Sequence, residues 1–180
     1  MEISDFAMRL NIKPEKTCCF TGHRPSAFPF ESEKDEECVR IKTRLSEEIK
    51  RLVSLGVDTF ITGMATGVDT WAGEICAGLK NEGIRLIAAI PCKDQTKGWS
   101  AADKLRYDSL LSYCDDAVTL SGNYTPWCMQ ARDRFMVDLS HYVIAVYNGA
   151  DRGGTFYTVS YARKMERNVT LITSGTIYDI

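Results

Sequence analysis

The sequence predicts an α/β fold, a Rossmann-like three-layer sandwich around a mainly parallel sheet, and three observations predict it. Short apolar runs alternate along the chain with longer amphipathic segments. Most of the runs are apolar at consecutive positions, the pattern of strands covered on both faces. Three of the connections that follow them are rich in glycine and other small residues, which lets a backbone turn sharply.

The elements follow in order. Residues 1–16, punctuated by Pro14, read as an N-terminal arm or short helix outside this pattern, and 17–180 as one domain. TCCFT at 17–21 is the first strand. EECVRIKTRLSEEIKRLVSLG places a helix over 34–55, closed by Gly56, a natural residue to follow a helix C-terminus. Further strands are expected at 57–62, 84–90, 116–120, 142–147 and 169–173, with helices over 68–80, 101–113, 126–139 and 155–166. Such alternation winds a parallel sheet through right-handed crossovers.

Composition narrows the function. A chain of 180 residues, 44% hydrophobic and 26% charged, can bury a core and is ordinary for a soluble globular protein. A net charge of −2 provides no general attraction to nucleic acid or an anionic membrane. No apolar run approaches the ~18 residues of a membrane span. The N-terminus lacks a basic stretch followed by an apolar one, so the cytoplasm is expected. Seven cysteines without a CxxC pair read as buried, reduced thiols. His23 and His141 have no acid spaced to frame them, so no metal site is expected.

In open parallel sheets, ligands gather beyond the carboxyl ends of the strands. The first connection there is FTGHRPSAFPF. Gly22 permits a sharp turn, leaving the Thr21 hydroxyl, the His23 imidazole and the Arg24 guanidinium, a planar fork suited to phosphate. Alone, the tripeptide reads more simply as a turn-capping histidine beside a solvated arginine.

The second is TGMATGVD. Gly63 allows a tight exit past Met64 and Ala65, and Gly67 admits a ligand close to the backbone. A helix then begins at Val68 with unpaired N–H groups suited to an anion. Asp69 keeps two open roles, as the partner of Thr66 in a capping box or as a ligand to a ribose or base. Trp71, Ala72, Ile75 and Leu79 face the core.

The third is NGADRGGTFYTVSYA, where Gly153, Gly154 and Thr155 form another anion cradle at a helix start. On the helix before it, Cys128, Ala131, Phe135 and Leu139 define an inward stripe. Arg132 falls roughly 55° from its centre and Arg134 roughly 105°. Arg132 therefore stands at the stripe's edge, where it has to meet an acid, carbonyl groups or a ligand, and a ligand is expected ahead of a structural ion pair. The segment GWSAADKLRYDSLLSYCDD reads as a lid hinged at Gly98. Trp99, Tyr107, Tyr124 and Trp127 either pack or stack a base at the pocket mouth.

TGHRP, GMATGVD and MQARDRFMVDLSHYVIAVYNGADRGGT together resemble the YpsA-like family of the SLOG superfamily, which includes the SMF/DprA DNA-processing proteins and the LOG phosphoribohydrolases. The resemblance covers roughly 17–173. It implies a nucleotide-type pocket lined by Thr21, Gly22, Arg24, Gly63, Met64, Ala65, Gly67, Asp69, Arg132, Gly153, Gly154 and Thr155, and it makes a homodimer plausible. LOG enzymes pair an arginine with the glutamate of PGGxGTxxE. Here Arg132 matches the arginine and Thr158 stands in the glutamate's place, with Glu74 as a candidate substitute.

Three functions follow in order. The first is a binder of a nucleotide derivative, of NAD, ADP-ribose or nucleoside-phosphate type, acting as a sensor or regulatory protein. The second is a hydrolase of nucleoside monophosphates, in which Arg132, Asp69 and His23 orient and polarise the substrate. The third is a single-stranded DNA binder, less favoured because Arg40, Lys42, Arg44, Lys50 and Arg51 are mixed with acids.

Overall fold

The computed structural model describes residues 3–173 and 177–179. In chain order the elements are α1 (Ile3–Arg9), β1 (Thr17–Gly22), α2 (Glu36–Ser54), β2 (Thr59–Thr62), α3 (Val68–Gly78), β3 (Arg85–Ile90), α4 (Ala101–Tyr113), β4 (Asp116–Thr119), α5 (Cys128–Asp138), β5 (Tyr142–Val146), α6 (Gly154–Lys164), β6 (Asn168–Ile172) and β7 (Ile177–Asp179).

The strands form one sheet in the order β4-β3-β2-β1-β5-β6-β7. All neighbours are parallel except β6 and β7. In β1, Cys19 lies opposite Ile61 of β2 and Val143 of β5. The chain moves outward from β1 to β4, then returns through α5 to place β5 on β1's other edge. That reversal opens a crevice at the carboxyl ends of β1 and β5.

Side chains alternate across the sheet and divide the core in two. Cys18, Phe20, Phe60, Leu86 and Ile144 pack beneath α2, α3 and α4. Cys19, Ile61, Ile87, Val143 and Val169 pack against α1, α5 and α6. Strands buried on both sides explain the continuous apolar runs. On α2, Cys38, Ile41, Leu45, Ile49 and Leu52 form the buried stripe. Glu48 lies on the same face and is satisfied there by Arg51 and the Thr170 hydroxyl.

The N-terminal residues contribute to this core. Phe6 of α1 is fully buried and meets Phe135 edge-on at 5.3 Å. One aromatic in a seven-residue helix carries no periodic signal, which is why the sequence pattern leaves the segment out.

Two local expectations are corrected. The segment read as a lid contains α4, which is a layer helix. Its Leu110 is buried, and a Cβ on Gly73 of α3 would lie 2.9 Å from the Leu110 side chain, so the two helices are in close contact. On α5, Ala131 is exposed and Arg132 buried, so the inward face is centred nearer Arg132 than the apolar residues suggest.

The long connection after β1 is pinned to the helices. Phe28 stacks on Phe30 at 4.9 Å, and both rest against Trp71. Glu33 accepts hydrogen bonds from Arg106, Lys42 and the Trp71 indole N–H. Partial burial opposes its charge, but these donors prevail and hold its pKa at about 2. Among the described residues, no helix is long and apolar enough to cross a membrane.

Candidate functional site

Two glycines show how closely the crevice is assembled. Gly67 has φ +89, and a Cβ there would stand 2.8 Å from Pro25 and 3.0 Å from the His23 carbonyl. The connections after β1 and β2 thus meet backbone to backbone. A Cβ on Gly63 would overlap the Arg132 guanidinium, so that position must be bare for α5 to deliver its arginine.

Between these segments lies a cavity of ≈ 390 Å³, within the ~300–1,000 Å³ common for small-molecule sites. Nine expected residues line it: Thr21, Gly22, His23 and Arg24 from the first connection, Ala65 and Asp69 from the second, Arg132 from α5, and Gly154 and Thr155 from α6. The other four lie outside its wall. Gly63 is behind Arg132, and its carbonyl accepts from Arg132 and from Gln95 Nε2. Met64 is buried in the core with φ +58. Gly67 is behind Pro25, and Gly153 is the N-cap of α6.

The wall also contains Phe20, Ser26, Ala27, Met129 and Asp133, which the sequence reading did not single out. Met129, Arg132, Asp133 and Met136 follow the i, i+3, i+4, i+7 rule for one helix face. A stripe counted on apolar residues alone hides that face.

The charged centre is Arg132. Its Nε donates to Asp133 Oδ1 at 2.8 Å, and Nη1 donates to the Gly63 carbonyl and to Asp69 Oδ2, 3.3 Å away. Burial disfavours the guanidinium's charge, but Asp133 and Asp69 outweigh it and hold its pKa above the usual value. At Asp69 the balance between burial and charge tips toward burial. Burial raises its pKa from 3.8 to about 6, and Arg132, whose closer carboxylate partner is Asp133, only partly offsets this.

Asp69 does not form the capping box with Thr66, because the N-cap of α3 is Gly67, which has no side-chain cap. Its carboxylate instead accepts from the Ala65 N–H at 3.3 Å and closes the tight turn. The Thr62 hydroxyl secures the other side of this turn by donating to the Asp69 carbonyl and accepting from the Met64 N–H.

Two helices start nearby from uncapped glycines: α6, after Gly153, puts Gly154 and Thr155 in the cavity wall, while α3, after Gly67, presents Asp69 there. First-turn N–H groups have no acceptor within a helix, and the dipole adds positive potential there. Arg24 is exposed and forms no direct ion pair among the described residues, although its charge reaches Asp69 and favours that carboxylate. His23 joins the first and third connections through a 2.9 Å hydrogen bond with Asn148 Oδ1. The start of α6 and Arg24 thus bring positive potential to a cavity whose other side carries Asp69 and Asp133.

Thr158, in the place of the LOG-type glutamate, and Glu74, the candidate substitute, both lie outside the cavity wall. Thr158 is buried and donates to the Gly154 carbonyl inside α6. Glu74 is held by Arg106, on the side of α3 that meets α4. The carboxylates of the cavity are Asp69 and Asp133. Among the described residues, no three His, Cys, Asp or Glu side chains are grouped to hold a metal.

Known proteins share this architecture. An uncharacterised SPbeta prophage-derived protein, YoqJ, from Bacillus subtilis (strain 168) is 31% identical over 147 residues, covering 73% of this chain and 85% of that relative. The DNA processing protein A (DprA) of Streptococcus pneumoniae superposes with a TM-score of 0.59 at 18% identity, over 86% of this chain. DprA from Helicobacter pylori, whose structure describes a single-stranded DNA binding mode, superposes with a TM-score of 0.60 at 18% identity, over 90% of this chain. This chain spans about half of the first DprA chain, 49%, and 66% of the second. Both likenesses are of fold. Residues 18–177 match the model of the YpsA family, described as the YspA SLOG family, and the chain belongs to it.

Proposed function

We propose that the chain binds a phosphate-bearing, nucleotide-type small molecule in the cavity at the carboxyl edge of the sheet and acts as a sensor or regulatory protein. One observation carries this reading: the uncapped, glycine-led N-terminus of α6 and the Arg24 guanidinium line one cavity. The phosphate sits at the start of α6 against Gly154, Thr155 and Arg24, where amides and a planar guanidinium suit its oxygens. The buried Asp69–Arg132–Asp133 group closes the cavity floor and presents polar atoms to a ribose or base.

Native mass spectrometry of freshly purified protein, followed by thermal-shift measurements with nucleotides, tests this. A ligand at about 100 times its Kd adds about 2.7 kcal/mol of stability. No bound molecule and no stabilisation across the nucleotide panel would refute the proposal. The same spectra read the oligomeric state.

A hydrolase of nucleoside monophosphates is the second reading, favoured by Asp69, whose pKa of about 6 beside Arg132 suits proton transfer near neutral pH. Release of free base from AMP, lost in Asp69→Asn and Arg132→Ala, supports it; no release from any common monophosphate excludes it.

A further inference from the structure

The nucleotide-binding proposal leaves the size of the ligand open, and a neighbouring cavity bears on it. A second cavity, of ≈ 420 Å³, adjoins the first, and the two share Arg24 and Met129 as walls. It is formed by residues 94–99, Tyr124 and the start of α5. Consecutive turns shape the 92–99 stretch: Gln95 N–H donates to the Cys92 carbonyl, Lys97 to Asp94 and Trp99 to Thr96. The Lys93 N–H joins this stretch to the Ser121 carbonyl at 3.3 Å.

We infer that the ligand occupies both cavities, with a phosphate linkage beside Arg24 joining a part in the first to an aromatic heterocycle in the second. This rests on the nucleotide reading above and adds the class of molecule: a nucleoside joined through phosphate to a second sugar or nucleoside. Two observations support it.

The shared wall is cationic. A group passing from one cavity to the other runs beside an exposed guanidinium that forms no direct ion pair among the described residues. An anionic linker suits that passage; beyond it the far cavity carries one further charge of each sign, Lys97 and Asp94.

The far cavity is aromatic. Trp99 is half-buried and braced by Tyr107, with ring centroids 5.8 Å apart at 85°, while Tyr124 is 62% exposed. Every base has a flat π-face, so such side chains take heterocycles without needing a particular sequence of polar contacts.

Gln95 fastens the far cavity to the turn after β2. Gln95 is 6% exposed and donates its Nε2–H to the Gly63 carbonyl at 2.9 Å. Because that partner can only accept, the orientation of the amide is fixed. Its Oε1 is buried without a hydrogen-bond partner among the described residues. With almost no accessible surface, that oxygen belongs to the interior of the wall and is not a contact for a ligand.

Titration calorimetry with the full chain tests the inference, using AMP, ADP-ribose and a ten-residue oligo-dA as probes. ADP-ribose is expected to bind at least ~10-fold more tightly than AMP, from the added stacking. Trp99→Ala and Tyr124→Ala are each expected to bring that ratio toward one. Tyr124 is exposed enough that its replacement tests the cavity even where the tryptophan variant folds poorly. AMP binding as tightly as ADP-ribose, with a ratio that neither variant changes, overturns the second cavity and leaves the nucleotide reading standing. No binding by any probe overturns both. Oligo-dA binding that both variants weaken supports the two-cavity arrangement and assigns the phosphate linkage to a nucleic-acid strand.

Discussion

Replacing Asp69 with asparagine isolates the energetics of the cavity floor. The carboxylate's pKa rises from 3.8 to about 6 on folding, because burial removes it from water. A folded state that holds the proton more tightly gains stability at low pH and loses it as pH rises through that folded value. The loss amounts to about 3 kcal/mol over the whole window, at ~1.36 kcal/mol per pH unit. Between pH 4.5 and 7.5 the share is about 2 kcal/mol, or ~4–8 °C in Tm for a chain of this size.

Asparagine does not titrate. Its Oδ1 still accepts from the Ala65 N–H, so the tight turn persists. Urea unfolding of both proteins at several pH values, compared as the difference between them, cancels the other titrating groups. The parent is expected to lose about 2 kcal/mol relative to Asp69→Asn between pH 4.5 and 7.5. Curves that stay parallel would refute the reasoning and mean that Arg132 fully compensates the buried carboxylate. A difference of opposite sign would show that attraction outweighs burial.

Other outcomes follow from the same geometry. Arg24→Ala is expected to leave stability within ~0.5 kcal/mol, since the side chain is exposed, while weakening a phosphate-bearing ligand ~10-fold or more in calorimetry. Gly63→Ala places a methyl group where the Arg132 guanidinium lies and is expected to cost ~1–3 kcal/mol in urea unfolding. Arg132→Met is expected to cost about 3–5 kcal/mol at pH 7.5, because it leaves two acids without their shared cation; the cost should shrink near pH 5, as Asp69 takes up a proton. Glu33→Gln should speed hydrogen exchange through the connection after β1, and the parent should lose this anchor as pH falls from 4.5 toward 2.

The fold was legible because apolar runs report burial directly. Six strands and five helices lie where period and glycine placement put them, within a few residues at the ends. α1 was harder, since its part in the core rests on Phe6, and β7 has only three residues and no helix to announce it. The site was legible where its chemistry sits in loops. Thr21, Arg24, Gly154 and Thr155 follow from composition and from the place of each turn in a wound sheet. Asp133 and Gln95 were not, because their roles depend on which face of α5 is buried and on a carbonyl 32 residues away. A polar residue's burial is written in tertiary contacts, and Arg132 itself emerged only through its angle to apolar neighbours.

The central position of β1 has a consequence for synthesis. Its partner β5 comes more than a hundred residues later, so an emerging chain can assemble β4-β3-β2-β1 while the far edge of β1 still offers free N–H and C=O groups. Open edges of this kind recruit strands from other chains. A chain halted before residue 142 would carry that adhesive border permanently, and a ribosome stalled there would release a product more prone to clump than to work.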